Sequence, residues 1–245
     1  MNRLAAAALA AMLLAAPGCE LNPQAVANAA VNEGVAALEA RQPETAEKAF
    51  LRALARDPQI TEANLGLAKV YDYYLVDNNK AYQYYKRFID VLAITDQVET
   101  ERERLKYARA RVKIMGEMQS GAIEAPETAV EDIVNAILSP AAGDARAAIV
   151  RRLDLTFIKQ LAAQRKTAAD FASEARAAFD GARPRLAYRD LAPAAPGAKL
   201  RVATVCLKLK SGHVAARLVA ATPDTRSPKP GPEGFWLIEQ WQVVQ

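Results

Sequence analysis

Across residues 24–118 apolar side chains recur every three to four positions, and the pattern breaks only at short polar stretches. This spacing predicts helices over 24–40, 43–56, 60–75, 79–94 and 97–118. Pro43 and Pro58 both fall where a helix would begin, the position at which proline is tolerated. The turns at Arg41-Gln42, Asp57-Pro58 and Val76-Asp77-Asn78 are short, so consecutive helices must double back as stacked antiparallel hairpins. In the fifth segment Val98, Leu105, Ala108, Val112 and Met115 form one apolar stripe. Glu99, Glu101, Arg102, Glu103 and Arg104 face outward, as a capping helix requires.

The character changes at Gln119-Ser120-Gly121, and residues 119–126 read as a linker. Beyond it, Val130, Ile133, Val134 and Ile137 stripe a helix over 127–138. Residues 145–165 carry Ile149, Leu153, Phe157, Ile158 and Leu161 on one or two helices. Residues 168–179 place Phe171, Ala175 and Phe179 on one face. After Gly181 the period becomes two, with strands expected at 185–191, 200–209, 213–221 and 235–244. Ser211-Gly212 makes a hairpin turn between the second and third. Helices followed by an antiparallel meander indicate an α+β domain at 127–245, its helices covering one face of the sheet. The expected fold class is therefore an all-α domain at 24–118 joined to an α+β domain.

The first eighteen residues belong to neither domain. Arg3 supplies one positive charge, residues 4–16 are apolar, and Pro17-Gly18-Cys19 follow. A basic start, a short apolar run and small residues at the exit describe a secretory signal peptide. The run is too short to span a bilayer, which takes roughly 20 apolar residues. Its exit, Ala16-Pro17-Gly18-Cys19, resembles a bacterial lipobox. That resemblance implies lipidation of Cys19, and with Glu20 rather than Asp following, an outer-membrane, periplasm-facing location. An ordinary secretory signal that happens to end at cysteine is the alternative. If Cys19 is acylated, the only other cysteine, Cys206, has no intramolecular partner, and its apolar surroundings make it a small core residue. Residues 20–23 form a tether of roughly 15 Å at full extension, which would hold the helical domain against the membrane.

Charge narrows the function classes. The full chain carries a net +4, which becomes +3 without Arg3. Residues 24–118 hold 14 basic and 14 acidic residues, and residues 119–245 hold 17 and 13. Positive charge this mild and dispersed argues against nucleic acid as a partner.

Within the helical domain, Gly34, Ala46, Phe50, Ala53 and Pro58 fall at the spacings of a tetratricopeptide repeat, and the domain resembles that family. Small residues stand where two helices cross, and Phe50 plugs the gap between them. Leu67, Ala68 and Tyr71 match a second repeat. Its other half, Ala81, Tyr85 and Phe88, fits only with one extra residue before it. The α+β domain resembles the NTF2-like superfamily through its closing segment Gly234-Phe235-Trp236-Leu237-Ile238-Glu239-Gln240-Trp241. The resemblance implies a cone between helices and sheet, lined here by Phe157, Phe171, Phe179 and Trp236, and able to hold a small apolar ligand. It also implies an acid/base pair where such proteins are enzymes. Asp154, Tyr188 and His213 are the residues open to that role, though each reads equally well as a helix-end charge, a packed strand residue and a surface residue. No cofactor motif or metal-ligand set is present in the sequence.

Seven of the eight tyrosines lie between residues 71 and 107. Tyr73 and Tyr74, like Tyr84 and Tyr85, are about 100° apart on a helix, so some rings must leave the core. Together with Val35, Leu65 and Lys69, Tyr73 and Tyr84 mark a groove suited to an apolar or amphipathic segment of an envelope partner. Tyrosine as plain core filler is the alternative. The function expected is a non-catalytic scaffold or assembly factor.

Overall fold

The computed structural model describes residues 22–139, 142–191, 202–220 and 236–244. Cys19 and the signal segment lie outside the described residues. The helical part comprises α1 (Pro23–Glu39), α2 (Pro43–Arg56), α3 (Thr61–Lys69), α4 (Asn78–Ile94) and α5 (Arg102–Gln119). Caps fix its boundaries. Asn22 accepts from the Gln24 amide with Pro23 opening α1, and Asp77 accepts from the Lys80 amide to start α4.

One ring organises the first hairpins. Phe50 on α2 is completely buried between Gly34 on α1 and Gly66 on α3. A Cβ at Gly34 would lie 2.6 Å from Phe50 Cε1, and one at Gly66 would lie 2.5 Å from Phe50 Cζ. Both distances are below any van der Waals contact, so three helices approach closely only because two positions lack side chains. Gly34 and Phe50 were expected to meet; Gly66 was not anticipated.

The second unit is α+β, as its change of period foretold. Helices α6 (Pro126–Leu138), α7 (Ala142–Arg152), α8 (Leu155–Ala163) and α9 (Ala168–Phe179) precede β1 (Arg185–Leu191), β2 (Val202–Lys208), β3 (His213–Ala220) and β4 (Trp236–Val244). Residues 145–165 thus resolve into two helices. The strands form an antiparallel meander in the order β1-β2-β3-β4. Ala203, Val205 and Leu207 on β2, Val214, Ala216 and Leu218 on β3, and Trp236 and Ile238 on β4 pack against the helices. Phe157, Phe171 and Phe179 fill the same core.

The expected linker is a fastened connector. Gly121 takes φ +74°, and the Ile123 amide then donates to the Glu117 carbonyl at 3.2 Å. Glu124 accepts from Arg152, and its carbonyl accepts from the indole of Trp236 at 2.6 Å. Few residues of freedom remain between the two cores.

Gly34→Ala is expected to lower stability by about 1–3 kcal/mol through overpacking. Shrinking Phe50 to Leu in the same chain should recover part of that loss, although Phe50→Leu alone destabilises. Urea unfolding of the single and double variants measures the coupling. Additive effects would mean that the ring and the glycine do not share the contact.

Candidate functional site: a buried ionic cluster between the domains

Helix α3 does not end as an α-helix. It continues as a π-helical turn, Val70–Tyr74, in which the Leu75 amide donates to the Val70 carbonyl at 3.0 Å. Such a turn holds one more residue than an α turn. Val76 then adopts φ +50°, a left-handed conformation that β-branched side chains rarely enter. Two uncommon backbone features therefore flank one carboxylate, Asp72.

Asp72 is fully buried, and so are the guanidinium groups it meets. Arg111 on α5 donates Nε to Asp72 Oδ2 at 2.7 Å and Nη2 to Oδ1 at 2.6 Å, a two-pronged pairing. Arg189 on β1 donates Nη2 to Asp72 Oδ1 at 3.1 Å. Its Nη1 reaches both carboxylate oxygens of Glu127 on α6, at 2.8 and 2.9 Å. Asn78, at the start of α4, accepts a further bond from Arg189 at 2.7 Å. Arg111 also donates to the Leu191 carbonyl at the end of β1. Two carboxylates and two guanidiniums balance, so the cluster is electrically neutral, as buried charge must nearly be.

Tyrosines enclose it. Tyr85 donates to Asp72 at 3.0 Å and also meets Tyr107, oxygen to oxygen, at 3.0 Å. Tyr107 and Tyr73 share a hydrogen bond at 2.5 Å. Tyr73 stacks on Tyr188 of β1 with centroids 5.9 Å apart, and Tyr74 packs on the same ring at 5.4 Å. Tyr188 and Arg189 are consecutive, so they leave opposite sides of the strand. The π turn receives both and straddles the edge of the sheet.

Part of the tyrosine crowding is thus a domain interface: Tyr73 and Tyr74 meet β1, while Tyr71, Tyr82 and Tyr84 pack within the helical domain. None of the seven between residues 71 and 107 is fully exposed. Of the residues expected to meet a partner, Val35 alone is exposed, at 43%. Leu65 is buried, Tyr73 is engaged by Tyr188, Tyr84 stacks on Tyr71 at 5.6 Å, and Lys69 lies half-buried over the Tyr107 ring. The four residues expected to line a cone are core side chains: Phe157, Phe171, Phe179 and Trp236 pack into one hydrophobic cluster.

The residues open to acid/base work lie apart. Asp154 caps α8 by accepting from the Thr156 amide, and its own amide donates to Ile238 on β4. Tyr188 is on β1, at the opposite edge of the sheet, three strand spacings from β4. His213 is exposed at the start of β3. Cys206 is half-buried, and burial pushes its thiol above the ordinary value. Asp72, Arg111 and Arg189 were not singled out by the sequence, where each reads as an ordinary polar position on a helix or strand.

Comparison with protein-family models, curated proteins and solved structures finds no match to the chain.

Removing one member should strand its partners. Asp72→Asn is expected to cost about 3–5 kcal/mol, because two buried guanidiniums lose their shared counter-charge. Chemical unfolding monitored by circular dichroism checks it, and a loss below ~1 kcal/mol would show that the cluster contributes little.

The alkaline limb carries a second expectation. Burial raises the pKa of Tyr73, Tyr85 and Tyr107, helped in Tyr85 by the nearby Asp72 carboxylate, and raises Tyr188 to about 12. The unfolded chain releases these protons near pH 10 while the folded chain retains them. Stability should therefore be intact below that pH and fall as pH rises beyond it. Unfolding midpoints across the alkaline range give the slope, which Tyr73→Phe should flatten.

Proposed function

We propose that the chain is an envelope lipoprotein, anchored through Cys19 and facing the periplasm, that acts as a rigid, non-catalytic platform for another envelope protein. The observation that carries the reading is the junction: Asp72, Arg111 and Arg189 have no exposed side-chain surface and join the two domains into one body. A platform must hold its two ends in fixed relation, and a neutral buried cluster backed by stacked rings does so. Helical hairpins of tetratricopeptide type would form the membrane-proximal half, and an NTF2-like α+β unit the distal half.

The separation of Asp154, Tyr188 and His213 supports a non-catalytic role, since general acid/base work needs its groups within reach of one substrate. Among the described residues no helix is long and apolar enough to cross a membrane, which leaves the lipid as the proposed means of attachment. The surface available to a partner in this reading is the outside of α1 and α2. There Val35 and Leu51 are exposed, and Val26, Ala29, Ala30 and Ala55 line a shallow cavity bridged by the Arg52–Glu33 ion pair.

The test has two parts. Metabolic labelling with a fatty-acid analogue should mark the wild-type protein and not Cys19→Ser. A photoreactive residue at Val35 should then capture a defined envelope protein from the anchored form. Labelling that persists in Cys19→Ser removes the anchor from the reading. Capture independent of anchoring removes the need for a membrane-held platform.

A further inference from the structure

Beside the second core, where β4 runs past α8 and α9, an open cavity of about 500 Å³ plays no part in joining the domains. That volume falls within the range of small-molecule sites. Its floor is aromatic. Phe157 meets Phe171 edge to face at 5.4 Å, and Phe171 meets Trp241 in the same manner at 5.7 Å. Phe157 and Phe171 are nearly covered, whereas Trp241 is only half-buried, so part of its indole is open to the cavity.

The rim is made of amides. Gln160 and Gln164 come from the end of α8; Gln240 and Gln242 flank Trp241 on β4 but project from the opposite face of the strand. Gln160 and Gln164 are exposed, and among the described residues neither side chain makes a hydrogen bond. One cation and one anion also line the space, Lys166 and Glu174, and they pair with each other at 2.8 Å.

Trp241 differs from the other tryptophan. Trp236 donates its indole N–H to the Glu124 carbonyl, as a buried indole normally finds a partner. The Trp241 Nε1 is covered and has no partner among the described residues. A buried donor left unpaired costs about 1–3 kcal/mol, so the ring is held in this orientation without the usual compensation.

The lining discriminates among ligand classes. A purely apolar ligand would strip water from both amides and return no hydrogen bonds. An ionic ligand would find the local charges already neutralised by each other. A neutral molecule with hydroxyls around its edge and a C–H face suits both elements. Each amide offers two donors and an acceptor to adjacent hydroxyls, and the indole takes the apolar face. We propose that this cavity binds a neutral oligosaccharide, with Trp241 as the stacking platform and Gln160 and Gln164 as the hydroxyl-reading groups.

The proposal goes beyond the platform reading and is independent of the anchor. It is tested on the detergent-solubilised full chain by titration calorimetry. The probes are chitotriose and maltotriose, with tri-alanine as a neutral peptide of comparable size. At least one oligosaccharide should bind saturably, and Trp241→Ala should abolish the signal while Trp241→Phe retains part of it. Gln160→Ala and Gln164→Ala, both surface changes, should each weaken binding about 2–10-fold, the effect of one lost neutral hydrogen bond. Melting curves identify any variant that has lost its fold; Gln160→Ala touches no core and keeps the test decisive. The proposal is overturned if neither sugar binds more tightly than about 10 mM. It is also overturned if the glutamine variants bind as wild type does, or if tri-alanine binds as tightly as the sugars.

Discussion

Asp72 holds a negative charge where water has no access, and the arrangement of both domains follows from keeping that charge balanced. Its two oxygens accept from Arg111 on α5, Arg189 on β1 and the hydroxyl of Tyr85 on α4. An ion taken from water loses several kcal/mol of solvation, and only a full set of partners restores it. The partners come from both domains. Separation of the sheet from the helices would leave Asp72 with Arg111 but without Arg189, and Arg189 with Glu127 but without Asp72. The junction therefore behaves as part of the interior, although it joins units that each have their own apolar core.

The backbone around Asp72 is shaped for this purpose at local cost. A regular continuation of α3 would have rotated residue 72 by about 100° per residue along the α pattern. The wider turn at Val70–Tyr74 alters that phase, and the left-handed Val76 returns the chain to the start of α4. Both departures sit within one short segment, and the π turn packs against β1. Tyr73 and Tyr74, on the same turn, grip Tyr188 from the other side of the strand. Polar and aromatic contacts thus secure one sheet edge from both faces.

Much of this was readable in the chain and some was not, for physical reasons. The contact of Phe50 with Gly34 was legible because a small residue and a large one recur at a spacing that helix crossing demands. Gly66 was missed because it lies one helix further on, where no local pattern points back to Phe50. The π turn at Val70–Tyr74 was not legible, because sequence periodicity cannot distinguish a lengthened last turn from a regular one. Tyrosine crowding was read as a groove for a separate partner, whereas Tyr73 and Tyr74 pack on Tyr188 of the same chain; a contact more than eighty residues on is long-range information. Arg111 and Arg189 were illegible because a charged residue on an amphipathic element defaults to solvent. Phe157, Phe171, Phe179 and Trp236 belong to the second domain's interior, but side-chain volumes alone do not reveal whether such residues line a space or fill it.

The span between the junction's members bears on how the chain acquires its structure. Asp72 and Arg189 are 117 positions apart, whereas Asp72 and Arg111 are separated by 39. A chain that emerges amino end first can assemble α1–α5, with Arg111 seated on Asp72, long before β1 exists. At that stage one face of the π turn, the side of the Tyr73 ring that stacks on Tyr188 and one side of Asp72 have nothing against them. The helical domain thus passes through a period in which it is compact but has an open, tyrosine-rich flank carrying an incompletely neutralised charge. Non-local contacts of this kind form late and slowly, and intermediates with exposed apolar surface are those that associate wrongly. The last strand to dock on that flank sets the moment at which the molecule ceases to be vulnerable.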